Sequence, residues 1–64
     1  MKLVSVQSND NLLAMIWEDE SRGFTTELKA FSEHKKAFRI ISKPWHKNLS
    51  NAIKRVTRWL TTKR

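Results

Sequence analysis

Residues 12–17 read Leu-Leu-Ala-Met-Ile-Trp. Successive side chains of a strand point to opposite faces of a sheet, so as a strand this run is apolar on both. Such a run suits a central strand covered on both sides, or a strand at a dimer seam. The chain has little with which to build that cover: 64 residues, no cysteine, one glycine and one proline. One small domain is the ceiling, since a fold of this size buries only about 60% of the surface its unfolded chain exposes. Neither a disulfide nor a cysteine-ligated metal can staple it, so self-association or a partner is expected to supply part of the stability.

The flanking segments supply neighbours for that strand. Leu3-Val4-Ser5-Val6 is short and β-branched and reads as a strand. Ser8 to Asn11 has turn chemistry. Glu18 to Gly23 is a polar loop, and Phe24 to Phe31 reads as a third strand with Phe24, Thr26 and Leu28 on one face. Turns this short favour an antiparallel meander over residues 1–31. Residues 32–42 fit a short helix, preferred here because Ser32-Glu33 can cap it and His34, Ala37, Phe38 and Ile41 have helical spacing; a fourth strand from Ala37 to Ile41 is the alternative. Residues 43–64 read as a basic amphipathic helix. Ser42 would be its N-cap and Pro44 would lie in its first turn, with an apolar arc of Trp45, Leu49, Ala52, Ile53, Val56, Trp59 and Leu60. The expected fold is α+β: a three- or four-stranded meander packed against a long C-terminal helix in a single domain.

Charge is segregated along the chain. Residues 1–42 hold six cations and six acids, whereas residues 43–64 hold Lys43, Lys47, Lys54, Arg55, Arg58, Lys63 and Arg64 and no acid, so the whole net charge of +7 belongs to the last third. A one-sided basic block attracts polyanions. On a continuous helix Lys47, Lys54 and Arg58 fall within about 40° of one another, opposite the apolar arc. They would contact phosphates, with Lys43, Arg55, Lys63 and Arg64 on the flanks and Asn51 as the candidate for a base edge. Trp17 is the candidate for base stacking, while Trp45 and Trp59 read as core or interface.

Catalytic equipment is missing from the pattern. His34 and His46 have no carboxylate at fixed spacing, no serine is flanked by nucleophile-elbow glycines, and Gly23 alone cannot form a phosphate-cradling loop. Glu18, Asp19 and Glu20 are consecutive and cannot converge on a cation, so they read as a solvated turn. No enzyme activity, metal or cofactor is expected. No run is long enough to span a membrane, and the start is not a signal-peptide core, so an intracellular protein of the cytoplasm, nucleoid or nucleus is expected.

These features point to a small non-catalytic nucleic-acid-binding protein, as a homodimer if the second strand or Trp59 seals one. The alternative is an inhibitor or adaptor, such as viruses encode, that docks on an acidic protein surface. Leu28-x-x-Phe31 followed by Ala37 resembles the third strand and helix start of the plant ethylene-response DNA-binding domain, and the arm-binding domain of tyrosine recombinases is similar; this covers residues 12–41. Those folds put a three-stranded sheet into the major groove, but this chain lacks their basic sheet face and the glycine after the leucine. The order of strands before a C-terminal helix, with Ile41-Ser42 ahead of Trp45, is similar to the whirly-type single-stranded DNA-binding coactivators. Both resemblances imply nucleic-acid binding.

Overall fold

The computed structural model describes residues 1–61. Strands β1 (Lys2–Asn9), β2 (Leu12–Glu18), β3 (Phe24–Ser32) and β4 (Ala37–Ser42) form an antiparallel meander in chain order. A two-residue strand, β5 (Trp45–His46), pairs with the start of β3 on the same side as β4. Helix α1 (Leu49–Leu60) packs on one face of this open sheet. The α+β meander with a C-terminal helix is as the sequence implied.

Two boundaries differ from the sequence reading. Residues 32–42 do not form a helix: Ser32 pairs with Ala37 and Phe31 with Phe38, so Glu33 to Lys36 is a hairpin turn and β4 follows. The turn contains no glycine because Lys36 itself takes the left-handed region, with φ 54°, a conformation that costs a side-chain-bearing residue about 1–2 kcal/mol. The C-terminal helix starts at Leu49 rather than Pro44, with Asn48 as its N-cap. Pro44 instead separates β4 from β5, and its carbonyl accepts a hydrogen bond from the Thr26 N–H at 2.9 Å. Proline has no N–H to give to a ladder, so it breaks the edge strand. Ser42 ends β4 and caps nothing, and Trp45 lies on a strand and not on the helical arc.

Register assigns the faces. Leu12, Ala14 and Ile16 pair with Ala30, Leu28 and Thr26, and these side chains look toward α1. Ala14, Ile16 and Leu28 meet Ala52 and Val56 of the helix, all at most 1% exposed, with Phe24, Leu49, Trp59 and Leu60 around them. The helix is tied at its far end, where Asn9 Nδ2 donates to the Leu60 carbonyl at 2.9 Å, one of the acceptors a helix terminus leaves without a partner. Trp59 Nε1 donates to the Lys29 carbonyl at 3.3 Å, beside the bulge where β3 and β4 shift register. Thr26 is fully buried in this core and its hydroxyl has no partner among the described residues.

The opposite face of the sheet carries Val6, Leu13, Met15, Trp17, Phe31, Phe38 and Ile40, and no element packs over it among the described residues. Phe31 and Phe38 meet there edge to face, with ring centroids 5.5 Å apart.

Two stability changes follow. Thr26→Val keeps the shape and removes a buried hydroxyl without a partner, so it is expected to stabilise by about 1 kcal/mol. Lys36→Gly relieves the left-handed turn residue and is expected to stabilise by about 0.5–1 kcal/mol after the greater unfolded-state freedom of glycine is deducted. Urea denaturation midpoints check both; a lower midpoint in either variant contradicts its assignment.

Candidate nucleic-acid interface

Helix α1 divides its 12 residues sharply. Ala52 and Val56 are buried, and at about 100° per residue Asn51, Lys54 and Arg58 fall together on the far side, within an arc of about 60°. All three are exposed, as are Ser50 and Thr57 beside them. Arg55 stands at the flank and is half-buried. Lys43 and Lys47 are exposed but precede the helix, Lys43 in the break between β4 and β5 and Lys47 after β5. The helical arithmetic that aligned Lys47 with Lys54 therefore does not apply, because Trp45 and His46 are engaged in pairing with β3. Lys63 and Arg64 lie outside the described residues.

The field around this helix is one-sided. No acid lies in its first turn, Arg58 lies in its last, and Asn48 makes no side-chain cap hydrogen bond. The first-turn amides are thus left to add their partial positive charge to the cations. Every acid of the chain belongs to the sheet or its turns: Asp10, Glu18, Asp19, Glu20, Glu27 and Glu33.

Trp17 is not brought to these cations. It points to the sheet face away from α1, half-buried, with Nε1 donating to Glu27 Oε1 at 2.5 Å. The pairing of an indole with the helical lysines that stacking on a bound strand would use is absent. Trp59 packs half-buried against the core with its N–H on the Lys29 carbonyl. β2 has β1 and β3 on its two edges, so it can meet another molecule only through its uncovered face.

Asp19 is more than part of a solvated turn. Its Oδ1 accepts from the Ser21 N–H at 3.0 Å, the Ser21 hydroxyl at 2.5 Å and the Gly23 N–H at 3.1 Å, and its Oδ2 accepts from Trp45 Nε1 at 2.9 Å. The signal available in the sequence was Asp followed two residues later by Ser, the spacing of an Asx-type turn. The single glycine has an ordinary backbone; Arg22 before it takes the left-handed conformation, with φ 65°. Gly23 is required for space, because a Cβ there would lie 2.0 Å from the Trp45 ring. The loop thus carries Trp45, and with it the chain segment leading to Lys47 and α1.

Hydrogen bonds from the Ser21 hydroxyl, then from Trp45 and the loop amides, outweigh desolvation and hold the Asp19 carboxyl below its ordinary value of 3.8. His46 Nε2 is buried without a partner among the described residues, and His34 is exposed on the β3–β4 turn. Among the described residues no three His, Asp or Glu side chains gather as a metal site, and no helix is long and apolar enough to cross a membrane.

No protein family, curated protein or solved structure matches the chain. Neither resemblance noted in the sequence therefore gains support beyond the residues that suggested it.

A carboxylate held low in the folded state takes up its proton first in the unfolded chain. Asp19 therefore contributes stability above about pH 3.8, and the contribution is lost as pH falls below that value through the lower folded one. Thermal unfolding of Asp19→Asn across pH 3–7 is expected to show a lower midpoint at neutral pH and a shallower acid decline than the unaltered chain. Parallel acid curves would remove Asp19 as the loop's organiser.

Proposed function

We propose that this protein is a non-catalytic nucleic-acid binder that contacts phosphates through the outward face of α1 and the segment leading into it. The observation that carries the reading is the placement of sign. Lys43, Lys47, Lys54 and Arg58 are exposed on a segment without a single acid, while the acids stand on the sheet and its turns. Cations on long stems, two on a helix about 18 Å in length and two on the segment that leads into it, suit a phosphate backbone. Asn51 stands one turn before Lys54 on the same face as Arg58 and is the side chain positioned to reach a base edge or a further phosphate. Lys63 and Arg64 continue the basic run in sequence. Such a ligand would place the protein in the cytoplasm, nucleoid or nucleus.

The same cations would also fit an acidic patch on a larger protein, the role of a small inhibitor or adaptor. The two readings separate in one titration. Fluorescence anisotropy of labelled single- and double-stranded oligonucleotides is expected to give saturable binding whose log–log salt slope is roughly −2.7 to −3.6 on duplex or roughly −2 to −3 on single strands, for three to four phosphates neutralised. Lys54→Glu with Arg58→Glu is expected to weaken binding at least about a hundredfold, with the far-ultraviolet circular dichroism spectrum unchanged. Flat titrations at low salt would overturn the nucleic-acid reading and direct the basic face to an acidic protein.

A further inference from the structure

The sheet face turned away from α1 is apolar and uncovered. Val6 of β1 is 51% exposed, and Phe38 and Ile40 of β4 are 43% and 50% exposed. Leu13 and Met15 of β2 stand half-buried between these edges. Apolar patches beyond a few hundred Å² are uncommon on monomers and mark interaction surfaces. The two longer extents of the molecule, 36 and 21 Å, bound its footprint at roughly 750 Å², so this face can approach but not exceed the ~800 Å² per partner of a standard stable interface.

Charge chooses the occupant. The chain carries +7, yet the centre of this face holds one acid and one base, Glu27 and Lys29, two residues apart on β3 and both half-buried. A polyanion would meet no excess of cations there and would desolvate Glu27. A second copy offers each of these groups its complement.

We propose that the uncovered face is the interface of a homodimer, in which two sheets stack with a two-fold axis crossing β3 at Leu28 and their strands running antiparallel. In that arrangement Glu27 lies over the second copy's Lys29, and Lys29 over the second copy's Glu27; a two-fold axis along the strands would instead set like charges together. Sheets stacked about 10 Å apart at roughly −30° interdigitate large side chains of this kind. Trp17, whose N–H holds Glu27, then fixes that carboxylate for its partner. The two basic helices become the outer layers and point away from each other, so the +7 of each copy does not oppose association. This inference rests on the sheet face alone and is independent of what the helix binds.

Sedimentation equilibrium of the full chain is expected to show a reversible dimer. Glu27→Lys and Lys29→Glu, made singly, are expected to weaken it at least about tenfold, and the double swap to restore it to within about threefold of the original. Ile40→Glu, at a half-exposed position of β4, is expected to dissociate it with circular dichroism unchanged, and Lys54→Glu to leave it unaffected. A chain that stays monomeric at about 0.5 mM, far above the micromolar range expected of an interface this size, would overturn the proposal. So would single swaps without effect or a double swap no better than either single. A monomer whose tryptophan fluorescence is quenched by a single-stranded oligonucleotide, with the quenching lost in Trp17→Phe, would overturn it in favour of base stacking on this face.

Discussion

The structure depends on one imbalance: β2 is apolar on both faces and the chain has one helix to cover it. Ala14 and Ile16 are sealed by Ala52 and Val56 to 1% exposure or less. Met15 and Leu13, pointing the other way on the same strand, stop at half-buried because only their neighbours on the sheet shield them. A 12-residue helix is about 18 Å long and lies mainly on β2, β3 and β5, touching β1 through Asn9 at its far end, which leaves the whole reverse face to other means. Burial at about 25 cal/mol per Å² is therefore gained on one side of the sheet only. A chain of 64 residues without a staple has little reserve with which to leave the other side wet.

Sign and hydrophobicity are sorted onto different layers. The helix shows water its cations, and the sheet shows water its apolar residues around a balanced Glu27 and Lys29. A layer that repels its own kind is useful for a polyanion, and a layer that is neutral and apolar is useful for self-association. Because the layers face opposite directions, neither use hinders the other. The joint between them is the Asp19 loop, which holds Trp45 by its indole N–H and by the space over Gly23, and so sets where the chain leaves the sheet for the helix.

Much of the first half was legible. The strands and turns over residues 1–31 follow from alternation, β-branching and polar breaks, all local signals. The buried face of α1 follows from helical spacing at Leu49, Ala52, Val56, Trp59 and Leu60. Legibility failed at residues 32–48, where local preference and tertiary pairing disagree. Ser32-Glu33 looks like a cap, and Lys36 does not look like a left-handed turn residue. Pro44 suits the first turn of a helix as well as it suits a break in an edge strand. Of the cations that spacing groups on one face, Lys54 and Arg58 do share a face of α1, and Asn51 joins them there. Lys47 does not, because it lies outside the helix.

By itself, the sequence determined which residues are apolar on which period, that all of the excess positive charge is C-terminal, and that a strand-rich half precedes an amphipathic helix. These are properties of neighbours along the chain. Long-range pairing settled that residues 37–42 join β3 instead of coiling, that Trp45 and His46 extend the sheet and shorten the helix to Leu49, and that Trp17 and the helical cations stand on opposite layers. Each of those outcomes turns on β3, which offers ladder hydrogen bonds along its whole length to whatever segment follows it. A pairing partner twenty residues away outweighs a local preference worth a few tenths of a kcal/mol per residue.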